Sequence, residues 1–344
     1  MSQSHACSHR KPIAVQRRGQ HLAVDIHCHM HIPAADPLIT DRPPAFPFIN
    51  AASASVMADM LCKVAPKLNG TEERLADMDA QGVDVQALSP SPGQYFYFAP
   101  AEEGRAAARA VNDGIAEAVG RHPARFVGMG TVPLQEPELA VAEMRRCVRD
   151  LDLRGIEIGS HVNGVELADP RFQPFFAAAE ELAVLLFMHP LAITEGRRLT
   201  DHYLSNIIGM PLESTIALSH LIFGGVLDRH PGLRLCVAHG GGYLPGYWGR
   251  MDHAYRARPD CRGAITREPS SYLRQIWIDS LVFDPLQLES LVRNHGAERI
   301  CMGTDYPFDM GEVDPVGFHS GLADGDRARI LGLNAAALLG LTVE

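Results

Sequence analysis

Eight short apolar runs of β type alternate with eight longer stretches of helical pattern, and few architectures accommodate that rhythm. The runs are 23–27 (AVDIH), 83–88 (VDVQAL), 125–130 (RFVGMG), 154–158 (RGIEI), 184–188 (VLLFM), 233–238 (LRLCVA), 275–279 (QIWID) and 299–303 (RICMG). The helical stretches are 71–81, 104–121, 136–150, 170–182, 214–229, 242–256, 284–295 and 324–340. Runs that are apolar on both faces suit parallel strands buried on both sides. Eight β-then-α units predict an α/β fold closed as a (β/α)₈ TIM-type barrel. A doubly wound open sheet is the alternative, but no GxGxxG follows the first run. Helix starts carry their own signals: Thr71 before Glu73 and Arg74, Pro137 in a first turn, and Asp284-Pro285. Long connections at 30–70 and 190–213 follow the first and fifth strands. They are expected to be functional loops on the C-terminal rim of the barrel.

The chain of 344 residues fits one such domain, placed at 23–344. Residues 1–22 are polar and basic, lack the apolar core of a signal peptide, and read as a flexible arm. His5, Cys7 and His9 alternate within it, a pattern that could bind metal but reads as chance in a tail. A net charge of −10 provides no basic footprint for nucleic acid, yet leaves room for a local cationic pocket. Seven cysteines without CxxC spacing suggest reduced thiols and a cytoplasmic protein. No apolar run is long enough to predict a membrane span.

The chemistry is read from position. His27 and His29 form an H-x-H at the end of the first strand, where residues i and i+2 share a face. His189 ends the fifth strand, His239 the sixth, and Asp305 follows the eighth. In a closed barrel these ends converge, so five metal-capable or acid–base residues meet on one rim. Three imidazoles and a carboxylate from His27, His29, His189 and Asp305 suit Zn²⁺, and also Fe²⁺, Co²⁺ or Mn²⁺. They leave a position for water, which titrates near neutrality on such an ion, or for substrate. His239 is either a fifth ligand or a general acid–base, the latter following from a single metal. Glu157 in the fourth strand could support a second metal, but reads as a barrel-interior residue. Gly240, Gly241 and Gly242 permit a tight turn, and Arg250 on the next helix could hold a carboxylate with its fork. Tyr95-Phe96-Tyr97-Phe98 either walls the pocket or packs beneath the loop.

The H-x-H start, the HP after the fifth strand, HGGGxxPxxxGR after the sixth and GTDYPF after the eighth resemble the amidohydrolase superfamily. Within it they are most similar to the decarboxylase branch typified by 2-amino-3-carboxymuconate 6-semialdehyde decarboxylase. The similarity runs from about residue 23 to 340 and includes MDAQGVDVQALS, RFVGMGTVPLQEPELAVAEMRRCV, GIEIGSHVNG and IIGMPLESTIA. The resemblance implies a mononuclear zinc site from His27, His29, His189 and Asp305, with His239 as the acid–base residue. It implies that Arg250 reaches the active site of a neighbouring subunit, and so a homodimer. The loop arginines that grip substrate carboxylate in the family fall at about Cys62 and Ala65. The nearest cations are Lys63 and Lys67, with Arg42 further upstream, and Leu191 stands where the family tends to have Trp.

The activity implied is metal-dependent non-oxidative decarboxylation of an unsaturated or aromatic carboxylic acid, carboxymuconate-semialdehyde-like or hydroxybenzoate-like. Metal-activated water and a His acid–base would serve it, with Arg250 and Lys63 or Lys67 holding a small carboxylate substrate. The alternatives are a hydrolase or hydratase built on the same ligands, and a non-catalytic metal-binding barrel.

Overall fold

The computed structural model describes residues 11–43, 48–191, 193–194 and 196–343. His5, Cys7 and His9 lie outside the described residues. All eight predicted strands form: β1 (Val24–Met30), β2 (Val85–Pro90), β3 (Phe126–Gly130), β4 (Gly155–Ile158), β5 (Leu185–Met188), β6 (Arg234–Val237), β7 (Ile276–Asp279) and β8 (Ile300–Cys301). Each pairs in parallel with its sequence neighbour, in one eight-stranded sheet. The sheet closes on itself where Ile26 N donates to Met302 O at 3.0 Å, Asp305 N to His27 O at 2.8 Å and His29 N to Tyr306 O at 2.8 Å. The (β/α)₈ barrel expected from the alternation is therefore the fold.

Both strand faces are buried, as their composition demands. In β5, Leu185 and Phe187 join one apolar cluster, while Leu186 and Met188 join another that contains Phe175 and Phe176. The helices that make this possible are α1 (Ala51–Asn69), α2 (Glu72–Gln81), α3 (Ala101–Arg121), α4 (Pro137–Arg149), α5 (Gln173–Glu181), α6 (Met210–Phe223), α7 (Leu244–Ala257), α8 (Pro285–His295) and α9 (Asn334–Leu339). Asp284 caps α8 by accepting the N–H groups of Leu286 and Gln287. Thr71 makes no side-chain cap on α2, contrary to its reading in the sequence.

Two further expectations are corrected. The connection after β1 is not structureless: it contains α1, whose N-terminus is capped by Asn50 accepting from Ser53 N. Met57, Met60, Leu61, Val64 and Leu68 recur within it at helical spacing, a signal that the sequence reading missed. The 324–340 stretch is helical from 324 to 339, as expected, with a π-helical turn at Arg329–Leu333 inside it. Finally, the segment 1–22 is not wholly an arm, because Ile13–Val15 pairs in parallel with Leu341–Val343. Arg154 fastens this pair by donating to Lys11 O at 2.8 Å. No helix of the described residues is long and apolar enough to cross a membrane.

Two buried histidines outside the barrel rim make the fold acid-sensitive. Burial pushes His295 and His319 down to about 4 each. Each is neutral in the fold at pH 7, whereas in the unfolded chain it titrates near the ordinary value of about 6.5. Their contribution is thus complete above about pH 6.5 and is lost as pH falls toward 4. In calorimetry of the metal-free protein, the parent's thermal midpoint should fall relative to that of His295→Gln between pH 7 and 4.5. A constant difference between the two would contradict this.

Candidate metal centre

Barrel closure sets the site. Alternation along β1 aims His27 and His29 the same way, and the β8–β1 seam brings Asp305 beside them. His27 Nε2 lies 3.2 Å from His29 Nε2 and 3.4 Å from Asp305 Oδ1, and His29 Nε2 lies 3.1 Å from the same oxygen. Donors held about 2.1 Å from one ion at tetrahedral or octahedral angles stand roughly 3.0–3.4 Å apart, so these three fit a shared cation. His189 comes from the end of β5, with its ring 5.0 Å from that of His27 and 4.8 Å from that of His29. Donor atoms of His27, His189, His239 and Asp305 all lie within 4.8 Å of one another. The structure thus brings together all five residues that the sequence singled out.

The hydrogen bonds around the cluster favour a metal over a polar core. His27 Nδ1 is 2.6 Å from Asp279 Oδ2, and His29 Nδ1 is 3.0 Å from Pro90 O. Each contact places the proton on Nδ1 and leaves Nε2 as a lone pair facing the centre. With both rings neutral, two such lone pairs opposed to a carboxylate repel unless a cation, a proton or a metal ion, lies between them. Both ring nitrogens of His189 are buried and without a hydrogen-bond partner among the described residues. An orphaned buried imidazole is costly in a core and is explained by ligation. The electrostatics agree. Burial opposes charge on His27, but Asp305 and Asp279 outweigh it and raise the group to about 10. Burial, and then the neighbouring imidazoles, hold His189 well below the usual histidine range. Burial would raise Asp305, yet His27, His239 and His29 keep it well below the usual carboxylate range. The pocket calls for positive charge and keeps one imidazole neutral, which is what a divalent ion requires.

Backbone strain accompanies the two residues of the cluster that follow the ends of β6 and β8. His239 and Asp305 have φ of 57° and 58°, a left-handed conformation uncommon for residues other than glycine. Close approach fixes Gly303: a Cβ there would stand 2.8 Å from His27 Cβ and 2.9 Å from Asp279 Cβ. Gly240 donates its N–H to Asp279 Oδ1 at 2.7 Å, so the glycine run serves the turn beside His27 and its partner.

Asp279 is a functional residue that the sequence reading missed. It ends β7, the position on a barrel strand where such groups accumulate, and that placement was available in QIWID. Glu157 does point into the barrel. Its Oε1 accepts from Tyr95 at 2.8 Å and lies 3.7 Å from His29 Nδ1, while burial raises its pKa. Pro90 O already engages His29 Nδ1, while donor atoms of His29, Glu157 and His189 also lie within 4.8 Å of one another. Tyr95, Phe96 and Tyr97 are buried, and Tyr97 receives the N–H of Gly159, so this segment packs beneath the loop.

Two cavities meet over the cluster, sharing His239, Asp305, Asn206, Met210 and Met310. One, of about 480 Å³, is walled by Met57, Met60 and Leu61 of α1 with Leu191, and its cationic or imidazole side chains are His31 and Arg42 besides the cluster. The other, of about 590 Å³, is walled by Tyr243, Leu281, Val282 and Phe283. Lys63 and Lys67 line neither. They face a separate cleft with Tyr306 and Glu312, and Lys67 is paired to Asp77 at 2.6 Å. Arg42 lines the first cavity instead: its Nη2 donates to Asp36 O at 2.7 Å and Oδ1 at 3.0 Å, while His31 Nε2 is 2.9 Å from Asp36 Oδ2. Arg250 is exposed on α7, and among the described residues it forms no ion pair.

The amidohydrolase family model matches residues 24–341. The 2-amino-3-carboxymuconate-6-semialdehyde decarboxylase of Dictyostelium discoideum is 39% identical over 272 residues, 78% of this chain and 76% of that protein. The gamma-resorcylate decarboxylase of Rhodococcus jostii (strain RHA1) is 29% identical over 289 residues, 78% of this chain and 87% of its own. Among solved structures, the 5-carboxyvanillate decarboxylase of Sphingomonas paucimobilis superposes with a TM-score of 0.81 at 28% identity, covering 93% of this chain and 99% of the other.

The role of Asp279 is directly testable. Asp279→Asn keeps the size of the side chain but removes the charge that orients His27. The variant should bind Zn²⁺ about 10–100-fold more weakly in competition with a chromophoric chelator, with its fold retained by circular dichroism. Parental affinity in the variant would remove Asp279 from the ligand frame.

Proposed function

The chain belongs to the amidohydrolase family, and on that premise we propose that it is a metal-dependent decarboxylase of an unsaturated or aromatic carboxylic acid. The observation that carries the reading is the site itself: a complete donor set with an unpaired, neutral His189 opens on a largely apolar cavity with Arg42 at its edge. The named decarboxylases among its relatives, each aligned over most of both chains, support the same reaction class.

His27, His29, His189 and Asp305 would hold one divalent ion, Zn²⁺ by the borderline character of this donor set, with Mn²⁺, Co²⁺ and Fe²⁺ as alternatives. When bound, the ion supplies Lewis acidity to an oxygen in the site. Arg42 would bind a substrate carboxylate through guanidinium N–H groups not engaged by Asp36. The walls from Met57, Met60, Leu61 and Leu191 would exclude water from the reacting carbon. A carboxylate held against such walls loses solvation, while the departing CO₂ is neutral, so the apolar lining favours the loss. His239 is the acid–base residue in this scheme. It is the most open member of the cluster, with 17% of its side chain exposed, and its Nε2 lies 3.8 Å from Asp305 Oδ2. From there it can deliver a proton to the carbon that gives up CO₂.

The site is completed across a homodimer in this reading. Exposed Ile207, Tyr247, Trp248 and Phe283 lie at or near the mouth of the second cavity, and Arg250 stands two residues beyond Trp248. Such a patch suits an isologous contact in which each Arg250 serves the other protomer's site. Cys28, Cys62, Cys147, Cys236, Cys261 and Cys301 are free thiols, which suits the cytoplasm.

The reaction is tested by CO₂ release from metal-loaded protein across carboxymuconate semialdehydes and hydroxybenzoates. Release that requires metal and collapses in His239→Ala is the expected result. Formation of an acid with an alcohol or amine, or addition of water without CO₂, would transfer the assignment to a hydrolase or hydratase. Arg42→Ala should raise KM about tenfold or more, since a charged hydrogen bond of roughly 1.5–3 kcal/mol is lost. Mixing inactive Arg250→Ala and His239→Ala protomers should recover about a quarter of parental activity if sites are shared in a dimer. No recovery after subunit exchange would confine Arg250 to its own chain.

A further inference from the structure

Beneath the metal ligands runs a buried chain of polar contacts that no step of the proposed reaction uses. Arg74 of α2 is fully buried, at 0% exposure. Its Nη1 donates to Gln86 Oε1 at 3.0 Å, and its Nη2 donates to His29 O and, at 3.0 Å, to Lys67 O. The guanidinium lies 4.7 Å from the centre of the Tyr306 ring. On its other side, Gln86 Nε2 donates to Asp25 Oδ2 at 3.1 Å. Asp25 Oδ1 accepts the backbone N–H groups of His27 and Thr304, each at 3.1 Å. Its Oδ2 accepts the Thr304 hydroxyl at 2.7 Å, and that hydroxyl oxygen in turn accepts Tyr306 N–H at 3.1 Å.

A buried guanidinium and a buried carboxylate are each expensive unless paired. Here they do not touch. The amide of Gln86 stands between them, oxygen toward the cation and nitrogen toward the anion. That order cannot be reversed, because a flipped amide would set donor against donor and acceptor against acceptor. The charges therefore stabilise each other only when β1, β2, α2 and the seam to β8 hold one register. The groups they grip in that register are the N–H of His27, the carbonyl of His29 and the residue immediately before Asp305.

We propose that Arg74, Gln86 and Asp25 form a positioning relay that presets the backbone of three metal ligands. Through Lys67 O the relay also ties the C-terminal end of α1, the helix that walls the cavity, to the same frame. The inference rests on the metal-site reading above, but its primary readout is ion uptake rather than turnover.

The test uses the full chain stripped with a chelator, with Zn²⁺ and Mn²⁺ affinities measured by chelator competition and the Mn²⁺ site read by electron paramagnetic resonance. Gln86→Met removes the bridge without changing charge, and Arg74→Lys keeps the charge but cannot reach both carbonyls. Each should lower affinity about 10–100-fold and broaden the Mn²⁺ spectrum, as lost support of ligands does. Combined, they should cost less than the product of the two single effects, because they break one network. At saturating metal, Arg74→Lys should raise KM as well as lower kcat, since it also frees α1, whereas Gln86→Met should lower kcat alone. Ile115→Ala, buried in α3 away from the site, should lower the thermal midpoint yet leave ion affinity at the parental value. If Gln86→Met and Arg74→Lys also bind Zn²⁺ as the parent does and lose only thermal stability, the relay is overturned and the residues are ordinary core. A parent that takes up neither ion would instead overturn the metal-site reading, a result separable from failure of the relay.

Discussion

The seam between β8 and β1 is the constraint on which everything else depends. Strand pairing there is a backbone matter, made of N–H and C=O groups that must be satisfied in any buried sheet. Because the seam is in register, Asp305 N binds His27 O and the carboxylate arrives between two imidazoles on the same strand. The electrostatic demand for a cation is thus a by-product of closing the barrel. An open sheet of the same eight strands would leave His27 and Asp305 on opposite edges, with no chemistry between them.

Around that demand the molecule arranges two kinds of surroundings. Below the ligands, the polar frame is anchored: Asp279 on His27, Pro90 O on His29, Asp25 on the seam. Above them the walls are largely methionine, leucine and aromatic side chains drawn from the two long connections after β1 and β5, from α6 and from the turns after β6 and β7. Anchoring limits the motion of the ligands, and the apolar walls strengthen each charge interaction made within the cavity. His239 stands at the boundary between the two regions, and its strained φ of 57° is the local cost of holding an imidazole there.

Much of this was legible in the sequence because it follows from period and position. Eight apolar runs fixed the strands to within a few residues, and five residues at strand ends marked the rim. What could not be read depended on contacts across the fold. Asp279 sits at a strand end, yet nothing local says that it meets His27, 252 residues away. Asp25 reads as half of an unremarkable D-x-H until Gln86 and Thr304 close around it. Lys63 and Lys67 were natural candidates by proximity in sequence to the family's arginine positions. The turn of α1 sends them to another face, and Arg42, further upstream, occupies the cavity edge. The α1 helix was legible in the helical spacing of Met57, Met60, Leu61, Val64 and Leu68, whereas the rim it covers was not.

The pairing of Ile13–Val15 with Leu341–Val343 bears on how the polypeptide is strung. The two ends of the described chain lie side by side, on the rim opposite the ligands and beside Arg154, which precedes β4. Topologically the molecule is close to a ring, cut once, at a place remote from its chemistry. Because the two strands run parallel, a peptide joining them would have to cross back along the pair, at a distance from every ligand. New ends could then be opened in an exposed turn such as Asn163-Gly164, giving a permuted chain with the same seam.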